Sequence, residues 1–195
     1  MRVLLDTNAL IHLLDQRAPQ SIQDRLKGLL QDIEKSRGQV VIPAPVVAEY
    51  LVNAGTAGKA LLSALLQSRY VTIAPFDHLA AEECAAMHVA AKTRGHKRHP
   101  LPKDADWQKV KVDRQIVAIA KVRATRIVAD DKDIHALAAA ESFPVQTVGS
   151  LPLPGWAQQM NLEGVQPLSQ QSIPSRTAAR GLTSIDKPPP QPPAA

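Results

Sequence analysis

Short apolar runs alternate with longer amphipathic stretches along most of the chain. Continuous Val, Leu and Ile runs are typical of strands buried on both faces of a parallel sheet. Val3, Leu4 and Leu5 form such a run, and periodicity together with turn residues predicts strands at 2–5, 39–42, 70–73, 126–129 and 145–148. Helical spacing predicts helices at 8–15, 20–36, 45–53, 58–68, 77–94, 109–123 and 132–140. Strands alternating with helices predict a three-layer α/β fold, with a mostly parallel five-stranded sheet and helices on both faces.

The pattern breaks in two places. Residues 95–107, GHKRHPLPKDADW, have two prolines, a glycine and no periodicity, which predicts a loop between two helices. After Pro154 the chain becomes rich in Gln, Ser and Pro and ends DKPPPQPPAA, too poor in large apolar residues to pack a core. We therefore predict one domain over residues 1–153 and a disordered or loosely docked tail over residues 154–195.

Composition places the chain among globular proteins. Its 195 residues, 45% of them hydrophobic, are enough to bury a full core. We see no segment like a signal peptide and no apolar run long enough to span a bilayer, so we expect a soluble cytoplasmic protein without membrane contact. A single cysteine, Cys84, excludes an intramolecular disulfide and a cysteine-based zinc site.

Charge is unevenly distributed. The formal net charge is +5, which favours a polyanionic partner. No acidic residue lies between Cys84 and Lys103, whereas five basic residues do, namely Lys92, Arg94, Lys97, Arg98 and Lys103. We call these five residues the basic patch. A nucleic acid backbone would fit it, and a solvated charge run explains it about equally well.

An aspartate follows the first predicted strand. In VLLDTNAL, Asp6 comes directly after three buried-type residues and before a helix. An aspartate there could cap the helix, since its carboxylate accepts hydrogen bonds from free amides. It could also belong to a binding site, because ligands of open α/β sheets bind outside the carboxyl ends of the strands.

Further acids lie where a carboxylate is costly. Glu49 lies in PAPVVAEYLVNAG, a helix whose other faces are apolar. Asp113 shares a helical face with apolar residues, although an acid in the first turn would also be favoured by the helix dipole. Asp131 and Asp133 follow the fourth strand, with Asp130 beside them, and one helix cap does not require three acids.

Several buried carboxylates repel one another unless cations neutralise them. We find no run of lysines or arginines close to these acids in sequence, although distant ones could approach in the fold. A bound divalent metal explains the acids economically, and ligands that are all oxygen select Mg²⁺ or Mn²⁺ over zinc.

These motifs resemble those of PIN-domain proteins, in particular the ribonuclease toxins of bacterial toxin-antitoxin pairs. The resemblance covers about residues 1–150 and rests on VLLDTNAL, PAPVVAEYL, KVDRQIVAIA and RIVADDKDIHAL. It implies a five-stranded parallel sheet and metal-dependent hydrolysis of RNA that leaves a 5′-phosphate and a 3′-hydroxyl.

The resemblance also implies residue roles. Asp6, Glu49, Asp113 and Asp131 would hold Mg²⁺ or Mn²⁺, with Asp133 as an auxiliary ligand. Asn8 and Thr7 would orient the first carboxylate by hydrogen bonds. The family pattern usually has a hydroxyl residue where this chain has Ala129, so one polar contact near the fourth acid is missing.

Two alternatives remain at this point. An aspartyl-phosphate phosphatase also places an aspartate after its first strand, but it needs a second acid where this chain has Asn8, and it leaves Glu49 unexplained. The second alternative is a catalytically silent PIN-like module that binds RNA or protein. Beyond RNA, the resemblance suggests a cognate antitoxin and a homodimer as partners, and one sequence leaves both open.

Overall fold

Five parallel strands form a single sheet in the computed structural model, which describes residues 1–158. The strands are β1 (Arg2–Leu5), β2 (Gln39–Pro43), β3 (Val71–Ala74), β4 (Arg126–Val128) and β5 (Val145–Gln146). Their order across the sheet is β3-β2-β1-β4-β5. The predicted parallel α/β sheet is therefore confirmed.

The first strand lies in the middle of the sheet, and after Arg2 it is entirely apolar. Val3, Leu4 and Leu5 are completely buried. Leu4 pairs with Val41 of β2 on one side and with Ile127 of β4 on the other. A strand that is buried on both faces and on both edges has to be a continuous apolar run.

Helices connect the strands and cover both faces of the sheet. They are α1 (Thr7–Leu14), α2 (Gln20–Lys35), α3 (Ala44–Asn53), α4 (Gly55–Leu66), α5 (His78–Thr93), α6 (Trp107–Arg123) and α7 (Lys132–Ala140). Right-handed crossovers and this strand order place α1 to α4 on one face and α5 to α7 on the other. The connections that leave β1 and β4 diverge to opposite faces, and a crevice forms outside the carboxyl ends of these strands.

Two of the predicted helix starts differ from the observed ones by more than one residue. Helix α6 begins at Trp107 instead of 109, because Asp106 accepts a capping hydrogen bond from the amide of Gln108 at 2.8 Å. Helix α4 begins at Gly55 instead of 58, and the φ of +57° at Gly55 lets the chain turn directly out of α3. Such a φ is accessible to glycine at little energetic cost.

The last strand is shorter than predicted. Strand β5 ends at Gln146, and residues Val148–Ser150 form a 3₁₀ turn, so the prediction of strand to 148 is wrong. The amide of Val148 donates to the carboxylate of Asp130 at 2.9 Å. This bond turns the chain away from the sheet edge.

The loop predicted over 95–107 is observed over 94–106, because Trp107 already belongs to α6. Hydrogen bonds from two arginines hold it in place. The buried guanidinium of Arg114 on α6 donates to the carbonyl of His99 at 2.9 Å. Within the loop, Arg98 donates to the carbonyl of Ala105 at 2.6 Å. The loop is therefore held against α5 and α6.

The chain beyond β5 returns to α2. Arg25 donates to the carbonyl of Leu151, and Trp156 donates to Gln31 at 3.2 Å. Pro154 lies so close to α2 that a Cβ on Gly28 would be 3.2 Å from the proline ring. The predicted tail thus begins with residues docked on α2, and its remainder, 159–195, lies outside the described residues. No helix in the described part of the chain is long and apolar enough to cross a membrane.

Candidate active site

A cleft of about 680 Å³ opens at the carboxyl ends of β1 and β4. Helices α1, α3 and α6 and the start of α7 form its walls. The four acids that the sequence singled out, Asp6, Glu49, Asp113 and Asp131, all line this cleft. Segments separated by more than a hundred residues therefore deliver their carboxylates to one place.

Asp6 is buried at the centre of the cleft, with 4% of its surface exposed. Its amide donates to the carbonyl of Val128 at 3.0 Å, which fixes the residue between β1 and β4. It occupies the residue before α1, yet its side chain accepts no capping hydrogen bond. Burial, with smaller contributions from Asp131 and Glu49, raises the pKa of Asp6 to about 6, so helix capping does not account for the residue.

Asp113 projects from the second turn of α6, because the helix begins at Trp107. The explanation as a first-turn acid therefore fails. Only 7% of the residue is exposed, and burial raises its pKa to about 6 in spite of an ion pair with Lys109. The charges of Asp131 and Asp6 also raise the pKa of Asp113. Two buried carboxylates with raised pKa values thus lie in the same cleft.

The three acids after β4 have different roles. Asp130 accepts the bond from Val148 described above and points out of the cluster. Asp131 accepts a hydrogen bond from the amide of Asp133 at 2.7 Å, which caps α7. Burial alone would raise the pKa of Asp131, but this amide and the ammonium of Lys109 outweigh it, and the pKa falls. One acid of the three is therefore a helix cap that also faces the cleft.

Glu49 is exposed, and the expectation that its position is costly for a carboxylate is wrong. Helix α3 is apolar on most sides, but it buries only Val46 and Tyr50, and Val52 is 81% exposed. An apolar helix surface in sequence is therefore not a buried surface here. Glu49 is nevertheless oriented into the cleft, because the hydroxyl of Thr7 donates to it at 2.7 Å.

Of the predicted contacts to the first carboxylate, Thr7 makes one through its backbone, a hydrogen bond that lowers the pKa of Asp6. Thr7 is buried, and its hydroxyl binds Glu49 instead of Asp6. Asn8 is exposed at the rim of the cleft, and within residues 1–158 its side chain makes no hydrogen bond to Asp6. Thr7 therefore links the first helix to the second acid.

Lys109 is the residue that sequence reasoning missed. Its ammonium lies 3.1 Å from Asp113 and 3.0 Å from Asp131, and it also contacts Asp133. Burial would lower the pKa of Lys109, but these carboxylates raise it further above its ordinary value. The signal was available, since Lys109 precedes Asp113 by one helical turn and shares its face.

The donor set suits a hard divalent cation. All candidate ligands are carboxylates, and Asp6 and Glu49 have no ion-pair partner in the part of the chain described. Among residues 1–158, no three carboxylate, imidazole or thiolate groups are placed to bind one metal ion as they stand. Asp113, Asp131 and Asp133 contact the Lys109 ammonium instead, so the residues fit a metal by the chemistry of their oxygen donors and by lining one cleft.

The basic patch lies beside the cleft. Of the described residues that line the cleft, none belongs to the patch. Lys97 is its nearest link, since its ammonium lies 4.7 Å from the centre of the Trp107 ring, and Lys111, which lines the cleft, lies 5.9 Å from the same ring. Arg94 points elsewhere, because it donates to the carbonyl of Ala140, the last residue of α7.

Comparison with known proteins supports the resemblance. The PIN domain family model matches residues 3–140. DNA-bound VapBC from Salmonella typhimurium is similar in structure, with 14% identity, a TM-score of 0.51 and coverage of 76% of this chain and 98% of that one. VapBC-1 from nontypeable Haemophilus influenzae gives 18% identity, a TM-score of 0.50 and coverage of 76% and 98%. No curated protein sequence matches the chain significantly.

Proposed function

The chain belongs to the PIN domain family, and from this we propose that it is an endoribonuclease that hydrolyses RNA phosphodiester bonds with Mg²⁺ or Mn²⁺. The observation that carries the proposal is the convergence of Asp6, Glu49, Asp113 and Asp131 on one cleft. Two of these carboxylates are buried with raised pKa values, an arrangement that is typical of functional sites.

In this proposal the four acids form the site of the divalent ion, and Asp133 is an auxiliary ligand. The bound ion would supply positive charge for the phosphate and lower the pKa of an attacking water. Asp6 contributes an oxygen at a position fixed by the sheet, and Thr7 orients Glu49 across the cleft. The chain offers no cysteine nucleophile in the cleft, and a hydrolytic route needs none.

The substrate would be bound mainly through its phosphates. Lys97 and Lys111, which flank Trp107, provide a basic path from the patch to the cleft. Lys92, Arg98 and Lys103 extend this surface, and Arg94 contributes least because it is turned toward α7. Phosphate contacts of this kind carry little sequence information and weaken as salt rises.

We further propose that the protein is the toxin of a toxin-antitoxin pair. The motif resemblance is to such toxins, and the two similar structures are of VapBC. An antitoxin would cover the cleft, where a basic side chain could pair with Asp6 and Glu49. A homodimer is the other proposed assembly, and size-exclusion chromatography with light scattering of the chain alone would test it.

A catalytically silent binding module is the second candidate. The observation that favours it is the Lys109 ammonium, which contacts three of the acids and offsets part of their charge without any metal. In that case the cleft would bind RNA or protein and leave phosphodiester bonds intact. The two candidates predict opposite results in a cleavage assay.

The test is cleavage of a mixed single-stranded and structured RNA pool by purified protein with Mg²⁺, Mn²⁺ or EDTA. The matched variants are Asp6→Asn and Asp32→Asn, since Asp32 is an exposed acid on α2, away from the cleft. We expect metal-dependent cutting that Asp6→Asn abolishes and Asp32→Asn retains. Intact RNA in every metal, with folded wild-type protein, would refute the nuclease and favour the binding module.

A further inference from the structure

Lys109 divides the acids of the cleft into two groups. Asp113, Asp131 and Asp133 contact its ammonium, whereas Asp6 and Glu49 have no cationic partner among residues 1–158. The ammonium comes from the first turn of α6, one turn before Asp113. A cation is therefore built into one half of the site by the chain itself.

The oxygens on the Lys109 side are largely engaged. One oxygen of Asp131 accepts the amide of Asp133 at 2.7 Å, and the other faces Lys109 at 3.0 Å. Asp113 contacts Lys109 through Oδ2 alone, at 3.1 Å, so its Oδ1 is available to a ligand. Among residues 1–158, the carboxylate oxygens without an ion pair or side-chain hydrogen bond thus belong to Asp6, to Glu49 through Oε1, and to Asp113 and Asp133 through Oδ1.

We propose that Lys109 takes the place of a second divalent cation, so that the site binds a single metal ion, on the Asp6 side. This inference rests on the metal-dependent function proposed above. A second ion would have to share the carboxylates of Asp113 and Asp131 with a fixed ammonium, which repels it. Lys109 is then a positioning residue for these carboxylates.

The experiment counts bound Mn²⁺ by equilibrium dialysis and EPR of the full chain, for wild type and for Lys109→Met. Methionine has a similar unbranched side chain, one atom shorter than that of lysine, and it carries no charge. We expect one Mn²⁺ per chain in wild type and two in Lys109→Met. Paired ions at the roughly 4 Å separation of two-metal sites would also give a spin-coupled EPR signal.

Two further variants serve as controls. Lys111→Met removes a lysine from the same helix and the same cleft, but in the described structure its ammonium faces the Trp107 ring and contacts none of the acids. Lys109→Arg keeps the charge in place. Both should bind one Mn²⁺. Circular dichroism establishes that each variant is folded, and Lys109→Arg tests the proposal even if Lys109→Met does not fold, because two ions there would overturn it.

The outcomes separate this inference from the proposed function. Two ions in wild type, or one ion in both wild type and folded Lys109→Met, would overturn the role of Lys109 and leave a metal-dependent nuclease standing. Absence of Mn²⁺ from folded wild type would overturn the metal-dependent function and this inference with it.

Discussion

Replacing Asp6 by asparagine should stabilise the metal-free protein near neutral pH. The change keeps the shape of the side chain and removes a charge from a residue that is only 4% exposed. Asp6 caps no helix through its side chain, so the substitution removes no capping bond. The backbone hydrogen bond from Thr7 and the charge of Lys109 favour ionised Asp6, but burial outweighs them, so the ionised carboxylate has a net cost.

The size of the effect follows from the pKa. Burial raises the pKa of Asp6 from 3.8 to about 6, and each unit corresponds to about 1.4 kcal/mol. Ionised Asp6 thus opposes folding by up to ~3 kcal/mol, part of which is shared with the neighbouring carboxylates. We expect Asp6→Asn to gain about 2 kcal/mol, which raises the melting temperature of a domain of this size by roughly 4 to 8 °C.

The pH dependence has a definite sign. Native Asp6 keeps its proton up to about pH 6, whereas the unfolded chain releases it near 3.8. Between these values the native state binds more protons, so raising the pH favours unfolding of the wild type. The advantage of Asp6→Asn should therefore grow between about pH 4 and pH 6 and stay constant above.

Urea unfolding in EDTA across this pH range measures the difference directly. Asp32→Asn is the matched control, because it removes an equal charge from an exposed position and should change stability little. The reasoning is refuted if Asp6→Asn is no more stable than wild type near neutral pH, or if its advantage is independent of pH.

Three further predictions concern the core, the Thr7 link and the basic path. Ile127→Ala removes a completely buried side chain from β4 and should lower the free energy of unfolding by about 2 to 5 kcal/mol in urea titrations. Thr7→Val removes the 2.7 Å hydrogen bond to Glu49 and should weaken Mn²⁺ binding in calorimetry. Thr7→Ser keeps the hydroxyl and should bind Mn²⁺ as the wild type does. Lys97→Ala should reduce the slope of log affinity against log salt for RNA by about 1, whereas Lys27→Ala on α2 should not.

The sheet and the cleft could be predicted because their signals are local. Apolar or β-branched residues between turn residues marked every strand, and β1 to β4 were placed to within one residue. Parallel strands present their carboxyl ends at one edge, so acids after β1 and β4 had to be neighbours. Asp6 and Asp131 meet in the cleft for this reason.

What could not be predicted depends on packing between distant segments. The apolar pattern of α3 suggested a costly position for Glu49, but which face of a helix is covered is decided by its neighbours. The short last strand depends on Asp130 binding Val148, a pair that is 18 residues apart. The pair of Lys109 with Asp113 could be read from their helical spacing, but its contacts with Asp131 and Asp133 join α6 to the start of α7 and could not.

The central position of β1 has a consequence for the order in which the protein is made. Strand β1 is synthesised first, but its neighbour β4 lies more than a hundred residues later. A nascent chain that has reached only α5 carries Asp6 and Glu49 and lacks the other two acids of the cleft. If the cleft cuts RNA, the nascent chain cannot cut its own mRNA or ribosome until α6 and α7 have left the ribosome and β4 has paired with β1.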